Sequence, residues 1–357
     1  MILKFRYALL SFLILTMMMM AACTSDSNPP KAALMNAIAK TMDADSYEMS
    51  FTMNIHELDI GNAADKEVAG GLTAASLTSM LKDATIEANA VYQKEPMRTD
   101  LDLQITLPSL LDMKLNVPMI MTQDMLYVKL TNIPLLQLPE EMADQYVRID
   151  LNELSQEQGG EKAMDLQKDQ RMLQDSLKTL LDGFDEKTYF STVKTADAEL
   201  PQDLKVNQVI SFSIKEDNYG QSVETLVNTV LPELLDILLA NKDNLAAFNM
   251  DTAKLEQTKA DWETNRDAMS DKLLNHLTLD TMNFTGAIRD DYLVYESGEL
   301  AMQADDTISG GEMKLSFSFS GQYSKLDEAV IFKEELPADT VALDELTALL
   351  KAPATTE

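Results

Sequence analysis

The stretch Tyr47-Glu48-Met49-Ser50-Phe51-Thr52-Met53-Asn54-Ile55-His56 alternates apolar and polar residues without a break. A period of two marks a strand with one buried and one wet face, because successive side chains leave the pleated backbone on opposite sides. Tyr47, Met49, Phe51, Met53 and Ile55 therefore share one side, and Glu48, Ser50, Thr52, Asn54 and His56 the other.

The pattern recurs downstream. Ile86, Ala88, Ala90 and Tyr92 lead into the turn Lys94-Glu95-Pro96, and Leu101, Leu103, Ile105 and Leu107 alternate with Asp100, Asp102, Gln104 and Thr106. Met113, Leu115, Val117, Met119 and Met121 carry it on, with Pro118 suited to an edge or a bulge. Further strands are predicted over residues 126–130, 146–151, 189–194, 206–214, 277–288, 292–304, 313–319 and 329–332. One-faced strands joined by short turns argue for an antiparallel meander, since parallel βαβ units would need a helix between every pair.

Helical spacing is confined to a few segments. Leu34, Met35, Ile38 and Met42 fall on one face of residues 31–42, and a helical turn is expected near 72–81. Residues 161–181 form a helix stopped by Gly183, and Ser222 caps an apolar helix that Pro232 should kink or split. A polar helix with Trp262 spans about 251–274, and a short one lies near 343–350. A large sheet with one apolar face must cover it. The expected fold is therefore α+β: a large curved antiparallel sheet, an unclosed half-barrel, with helices covering the concave face.

The N-terminus reads differently. Lys4 and Arg6 precede an uncharged apolar run over 7–20, followed by Met20-Ala21-Ala22-Cys23. A basic start, a short apolar run and small residues before a processing point make a secretory signal, and the run is too short for a bilayer span of about 20 residues. Ala21-Ala22 directly before Cys23, the only cysteine, resembles the bacterial lipobox. That resemblance implies cleavage before Cys23 and diacylglyceryl attachment to its thiol. The expected organisation is a signal peptide over 1–22, a lipidated tether over 23–30, a domain over 31–337 with two related halves dividing near 155–185, and a C-terminal tail over 338–357.

Cys23, the short tether, the helix over 31–42, and Asp45-Ser46-Tyr47 opening an alternating strand together resemble the LolA/LppX-type envelope lipoproteins. The likeness is one of element order along the mature chain and transfers no site residue. It implies an unclosed β-barrel with helices on the concave side, and a role in carrying or sensing acylated molecules.

The 357 residues carry a formal net charge of −30, which becomes −32 once Lys4 and Arg6 leave with the signal. Such a field opposes nucleic acid and anionic headgroups. A single cysteine permits no intramolecular disulfide, and no second stretch is long and apolar enough to span a bilayer, so the expected anchor is lipid alone.

Methionine is the compositional clue, with 23 in the chain. Flexible, polarisable thioethers suit surfaces that fit varied apolar partners. Met49, Phe51, Met53, Leu103, Met113, Met119, Met121 and Phe317 are the candidates to line a ligand cavity, against the plainer reading that they fill the core. Met119 and Met121, with Met125 beyond, could offer Cu(I) a soft site, but packing explains them. His56 and His276, the only histidines, lack the spacing of a zinc site. Asp290-Asp291 and Asp305-Asp306 lack the order of a calcium loop. No nucleophile elbow or nucleotide loop occurs, so neither enzyme activity nor a cofactor or bound metal is expected. Two functions remain: an extracytoplasmic, lipid-anchored cell-membrane protein binding a hydrophobic or acylated ligand, or a fully packed interaction or regulatory module whose protein partner the sequence does not name.

Replacing the thiol tests the anchor: Cys23→Ala should move the protein from the membrane fraction into the soluble one, and retention at the membrane would count against lipidation.

Overall fold

The structure, a computed structural model, describes residues 29–60, 67–69, 72–111, 113–131, 142, 144–153, 166–241, 252–305 and 312–346. Cys23 and the signal segment lie outside the described residues.

The alternating segments assemble into one twelve-stranded sheet. Strand β1 (Ser46–Ile60) is followed by two very short strands, β2 (Glu67–Ala69) and β3 (Leu72–Thr73), which pair only with each other. Then come β4 (Thr85–Gln93), β5 (Arg98–Leu107), β6 (Met113–Thr122), β7 (Met125–Lys129) and β8 (Tyr146–Asp150). The second half supplies β9 (Phe190–Val193), β10 (Gln208–Ile214), β11 (Leu277–Arg289), β12 (Tyr292–Ala304), β13 (Met313–Ser324) and β14 (Thr340–Ala342). In space the order is β14-β8-β7-β6-β5-β4-β1-β13-β12-β11-β10-β9, so β1 joins the two meanders by pairing with β4 on one side and β13 on the other. The sheet is curved and unclosed, and the fold is α+β.

Two expectations about strands need correction. Residues 329–332 are not a strand, and the tail expected from 338 onward contributes β14. The chain after β13 runs as a strap across the outer face: the Arg98 guanidinium lies 4.3 Å from the Phe332 ring centroid, Arg98 Nη2 donates to the Glu334 carbonyl at 2.6 Å, and Tyr146 donates to the Glu334 carboxylate at 2.5 Å. That crossover delivers β14 parallel to β8, whereas the other ladders are antiparallel. A tight turn can return a chain only antiparallel; a parallel partner requires a long crossover.

Pro118 illustrates how the ladder tolerates an imino acid. It pairs with Asp102 of β5, and the described pairing of β6 with β7 covers only Met119, Ile120 and Met121. Pro118 thus sits just where that neighbouring ladder ends, consistent with the edge expected for it.

Helix α1 (Pro30–Met42) opens with proline in its first turn, where its missing N–H costs nothing. Helix α2 (Ala74–Leu81) is capped by Thr73, whose hydroxyl accepts from the Ser76 amide, and packs on β1. Helix α3 (Leu166–Asp182) and the short α4 (Glu186–Tyr189) precede β9. Between β10 and β11 stand α5 (Tyr219–Thr225), α6 (Leu231–Ala240) and α7 (Thr252–His276). Pro232 does not break its helix: a π-turn over Leu226–Val230 joins α5 to α6, widening the coil where a proline ring would otherwise strike the preceding carbonyl. A kink occurs instead in α7, at Asn265.

The helices pack mainly over β9–β12. There the core contains Leu34 and Ala37 of α1, Phe184, Tyr189, Phe190, Ile210, Phe212, Val230, Ile288 and Leu293, all buried. Phe184 is edge-on to Tyr189 at 5.0 Å and to Phe212 at 5.3 Å, a geometry favoured by the ring quadrupole. A smaller cluster, Leu130, Met142 and Val147 with Val341, Leu343 and Leu346, covers the opposite edge.

Close approach rather than a turn requires Gly298 on β12. A Cβ there would lie 2.6 and 2.7 Å from two Phe319 ring atoms and 2.8 Å from the Asn283 carbonyl. Gly298→Ala should therefore cost about 1–3 kcal/mol through forced displacement of ring or strand. Thermal melting should show a midpoint lower by several degrees, and an unchanged midpoint would refute the contact.

Candidate functional site

The strand registers decide which side chains share the inner face, the face the helices cover. Across the sheet, Val117 of β6 faces Leu103 of β5, Leu103 faces Ala88 of β4, Ala88 faces Phe51 of β1, and Phe51 faces Gly321 of β13. The next row runs Leu115, Ile105, Ile86, Met53, Phe319, Gly298, Phe284, Phe212 and Phe190. Directly paired residues point to the same side. All eight sequence candidates (Met49, Phe51, Met53, Leu103, Met113, Met119, Met121 and Phe317) consequently lie on this one face.

They do not belong to the sealed core. Phe190, Ile210 and Phe212 on the β9–β10 part of the face are each 5% exposed or less. The eight candidates are half-buried. One apolar face thus has two regimes: sealed under helices over β9, β10 and the Ile288–Leu293 end of β11 and β12, and closed again near β8, but partly open over β4–β6, β1, β13 and the remaining length of β11 and β12. Phe51 and Phe319 stack across β1 and β13 with centroids 6.0 Å apart, and Phe284 and Phe317 lie 6.4 and 6.5 Å from Phe319, giving the open stretch an aromatic floor.

A carboxyl group interrupts this floor. Glu296 on β12 pairs with Gly321 on one side and Gly286 on the other, placing its side chain on the inner face. Gly321 leaves the space it occupies: a Cβ there would stand 2.9 Å from Glu296 Oε1 and 3.1 Å from its Cγ. Tyr323 donates to Oε1 at 3.4 Å, a long bond. The Tyr323 ring meets Tyr47 edge-on at 5.7 Å, and Tyr47 lies 4.9 Å from Tyr92. Glu296, Tyr323, Tyr47 and Tyr92 thus form a polar stripe across β12, β13, β1 and β4. It ends at the rim, where Lys94 pairs with Asp43 at 3.2 Å and Asp45 at 3.6 Å.

Burial dominates the titration of this stripe. Loss of water pushes the Glu296 carboxyl above its ordinary value, opposed only by the Tyr323 bond. The Tyr47, Tyr92 and Tyr323 hydroxyls are raised as well, each chiefly by burial, so all three remain protonated donors at neutral pH.

The stripe was partly readable in advance. Tyr47 and Tyr92 open and close alternating runs, so their inward direction follows from the sequence. Glu296 was missed. Counting back by twos from Met302 and Leu300 reaches it on the inward side, but counting forward from Leu293 does not, because the β11–β12 register shifts beside Ala287 and Ile288. A bulge inserts a residue and reverses the parity beyond it.

The remaining candidates resolve plainly. Met119 and Met121 point inward, whereas Met125, neighbour to the inward Leu126, points outward, so the three thioethers do not converge. His56 Nε2 lies 2.9 Å from Ser318 Oγ at an exposed position, and His276 Nδ1 pairs with Asp305 at 2.6 Å. Asp290 and Asp291 form the tight β11–β12 turn at φ of 53° and 65°, conformations that aspartate tolerates. Asp306 lies outside the described residues. Among the described residues no group of three or more His, Cys, Asp or Glu could hold a metal, and no helix is long and apolar enough to cross a membrane. Open surface depressions of about 540 Å³ beside Lys215–Asp217 and about 430 Å³ beside Glu263–Ala268 involve none of the eight candidates. No protein-family model and no curated protein matches the chain.

Glu296 makes stability pH-dependent in a defined direction. With its folded-state pKa raised, the protonated form favours the fold, and that contribution is lost as pH climbs from about the ordinary value of 4.5 through the shifted one. Glu296→Gln removes the loss. Its melting temperature should match wild type near pH 4 and exceed it progressively towards pH 8; a constant difference across that range would contradict the burial.

Proposed function

We propose that the protein is an exported lipoprotein, held by lipid on Cys23 at the extracytoplasmic face of the cell membrane, that binds a hydrophobic or acylated molecule along the open stretch of its inner face. The observation that carries this reading is the change of regime along one continuous apolar surface. Helices shield Phe190, Phe212 and Ile210, whereas Met49, Phe51, Met53, Leu103, Met119 and Phe317 on the same surface stay half-buried. Apolar area left in contact with water forfeits about 25 cal/mol per Å², so a contiguous patch of it has value to a binding partner.

Methionines at Met49, Met53, Met113, Met119 and Met121 suit such a surface, since three free torsions let one wall adapt to several apolar shapes. The resemblance to envelope lipoproteins that handle acylated molecules points the same way. Two acyl chains on Cys23 supply stable attachment where one is marginal, and the segment up to Pro30 spaces the sheet from the bilayer. The role is non-catalytic in this reading: the face offers shape, apolar area and one carboxyl.

Native mass spectrometry of protein extracted from its own membrane should show a co-purified apolar adduct. Leu103→Gln and Met119→Gln place amides in the open stretch, and each should weaken binding of an apolar fluorophore about tenfold. A chain that carries no adduct and binds no such fluorophore would instead favour a module that acts through its exterior.

A further inference from the structure

The register of the large sheet places only uncharged residues on its inner face, with one exception. Among the described strand positions of β1 and β4–β13, the inward residues are Leu, Ile, Val, Met, Phe, Tyr, Ala, Gly, Thr, one Gln, and Glu296. A lone carboxyl on such a surface costs free energy unless something compensates it. Its described partner is the Tyr323 hydroxyl alone, at the long distance of 3.4 Å. The ion pairs of the described residues fall elsewhere, and the nearest cation along the stripe, Lys94, is engaged by Asp43 and Asp45 at the rim beyond Tyr92. The position is also built rather than incidental, because Gly321 gives up a side chain exactly where the Glu296 carboxyl lies.

We propose that the open stretch selects a cationic amphiphile, whose apolar chain lies on Met49, Phe51 and Met53 while its ammonium group meets the Glu296 carboxylate beside Tyr323. This deepens the apolar-ligand reading and rests on it. Charge complementarity sets the sign. The protein's −30 net charge repels an anionic headgroup and concentrates cations, and the only inward charge among the described strand positions is negative. An ammonium donates to the carboxylate lone pairs that Tyr323 leaves free, making a charge-assisted bond in a recess where water competes poorly. The stripe of tyrosine rings adds attraction for a cation through their quadrupoles.

The mature chain carrying Cys23→Ala, at physiological ionic strength, provides the test. Binding of dodecylamine, dodecanol and dodecanoate is measured by displacement of an apolar fluorophore, below the micellar concentration of each. Dodecylamine should bind roughly tenfold or more tightly than dodecanol, and dodecanoate less tightly than either. Glu296→Gln should bring dodecylamine to the affinity of dodecanol measured on the same variant; Tyr323→Phe should reduce the amine advantage by a smaller factor. Circular dichroism and melting of each variant verify that it is folded. Equal binding of amine and alcohol overturns the cationic preference but leaves the apolar reading standing. An amine advantage that survives in Glu296→Gln assigns it to the general acidic surface and overturns the site. Failure of all three ligands removes both readings together.

Discussion

Twelve strands that present one continuous apolar face create an obligation the rest of the chain must meet. Exposed apolar surface on that scale is unfavourable, and a sheet cannot bury its own face without closing or being covered. This sheet does not close. Its long β11–β12–β13–β1 centre is reached by pairing the first strand of the domain with the last long one, so the two meanders become one surface. Among the described residues, cover comes from α1, from the helices before β9 and between β10 and β11, and at the far edge from Leu130 and Met142 with the residues after β14.

Cover is uneven, and its unevenness gives the fold a functional asymmetry. Leu34 of α1 lies against Gly286, where any Cβ would meet its methyl at 2.6 Å, so helix and strand touch closely on that side. A few strands away the same inner rows carry Met, Leu and Phe side chains that stay half-buried. Glu296 lies between these regimes, on the strand that α1 packs against. Its carboxyl is tolerated there because Gly321 yields room and Tyr323 offers a donor.

The outer face follows a different logic. It is polar, and the chain after β13 crosses it bound by discrete polar contacts. Asp327 accepts from the Asp45 amide at 2.6 Å and from the Tyr292 hydroxyl, whose pKa is pushed up to about 12 by that bond. Ser46 donates to the Glu328 carbonyl at 2.5 Å. These bonds tie the start of β1 to the strap that delivers β14, so a segment with little apolar content of its own becomes part of the sheet.

Fold class and the inward direction of all eight candidate residues were legible from the sequence, because a period of two in residues 47–56 or 100–107 has one geometric meaning. The secretory signal and lipidated cysteine were likewise read from local order, and they stand as expectations. Tertiary structure alone decided the rest. Which strand neighbours β1 depends on contacts such as Phe51 with Gly321, 270 positions apart, and no local pattern encodes that pairing. The parallel β14 depends on a strap anchored by Arg98 and Tyr146, and its three residues are too few to show a period. Glu296 became an inward residue through a bulge at Val294 in its own strand, where β12 advances two residues against one of β11, and a period counted forward from Leu293 does not register that inserted residue. Periodicity reports which way a side chain points; only the assembled sheet reports what it meets there.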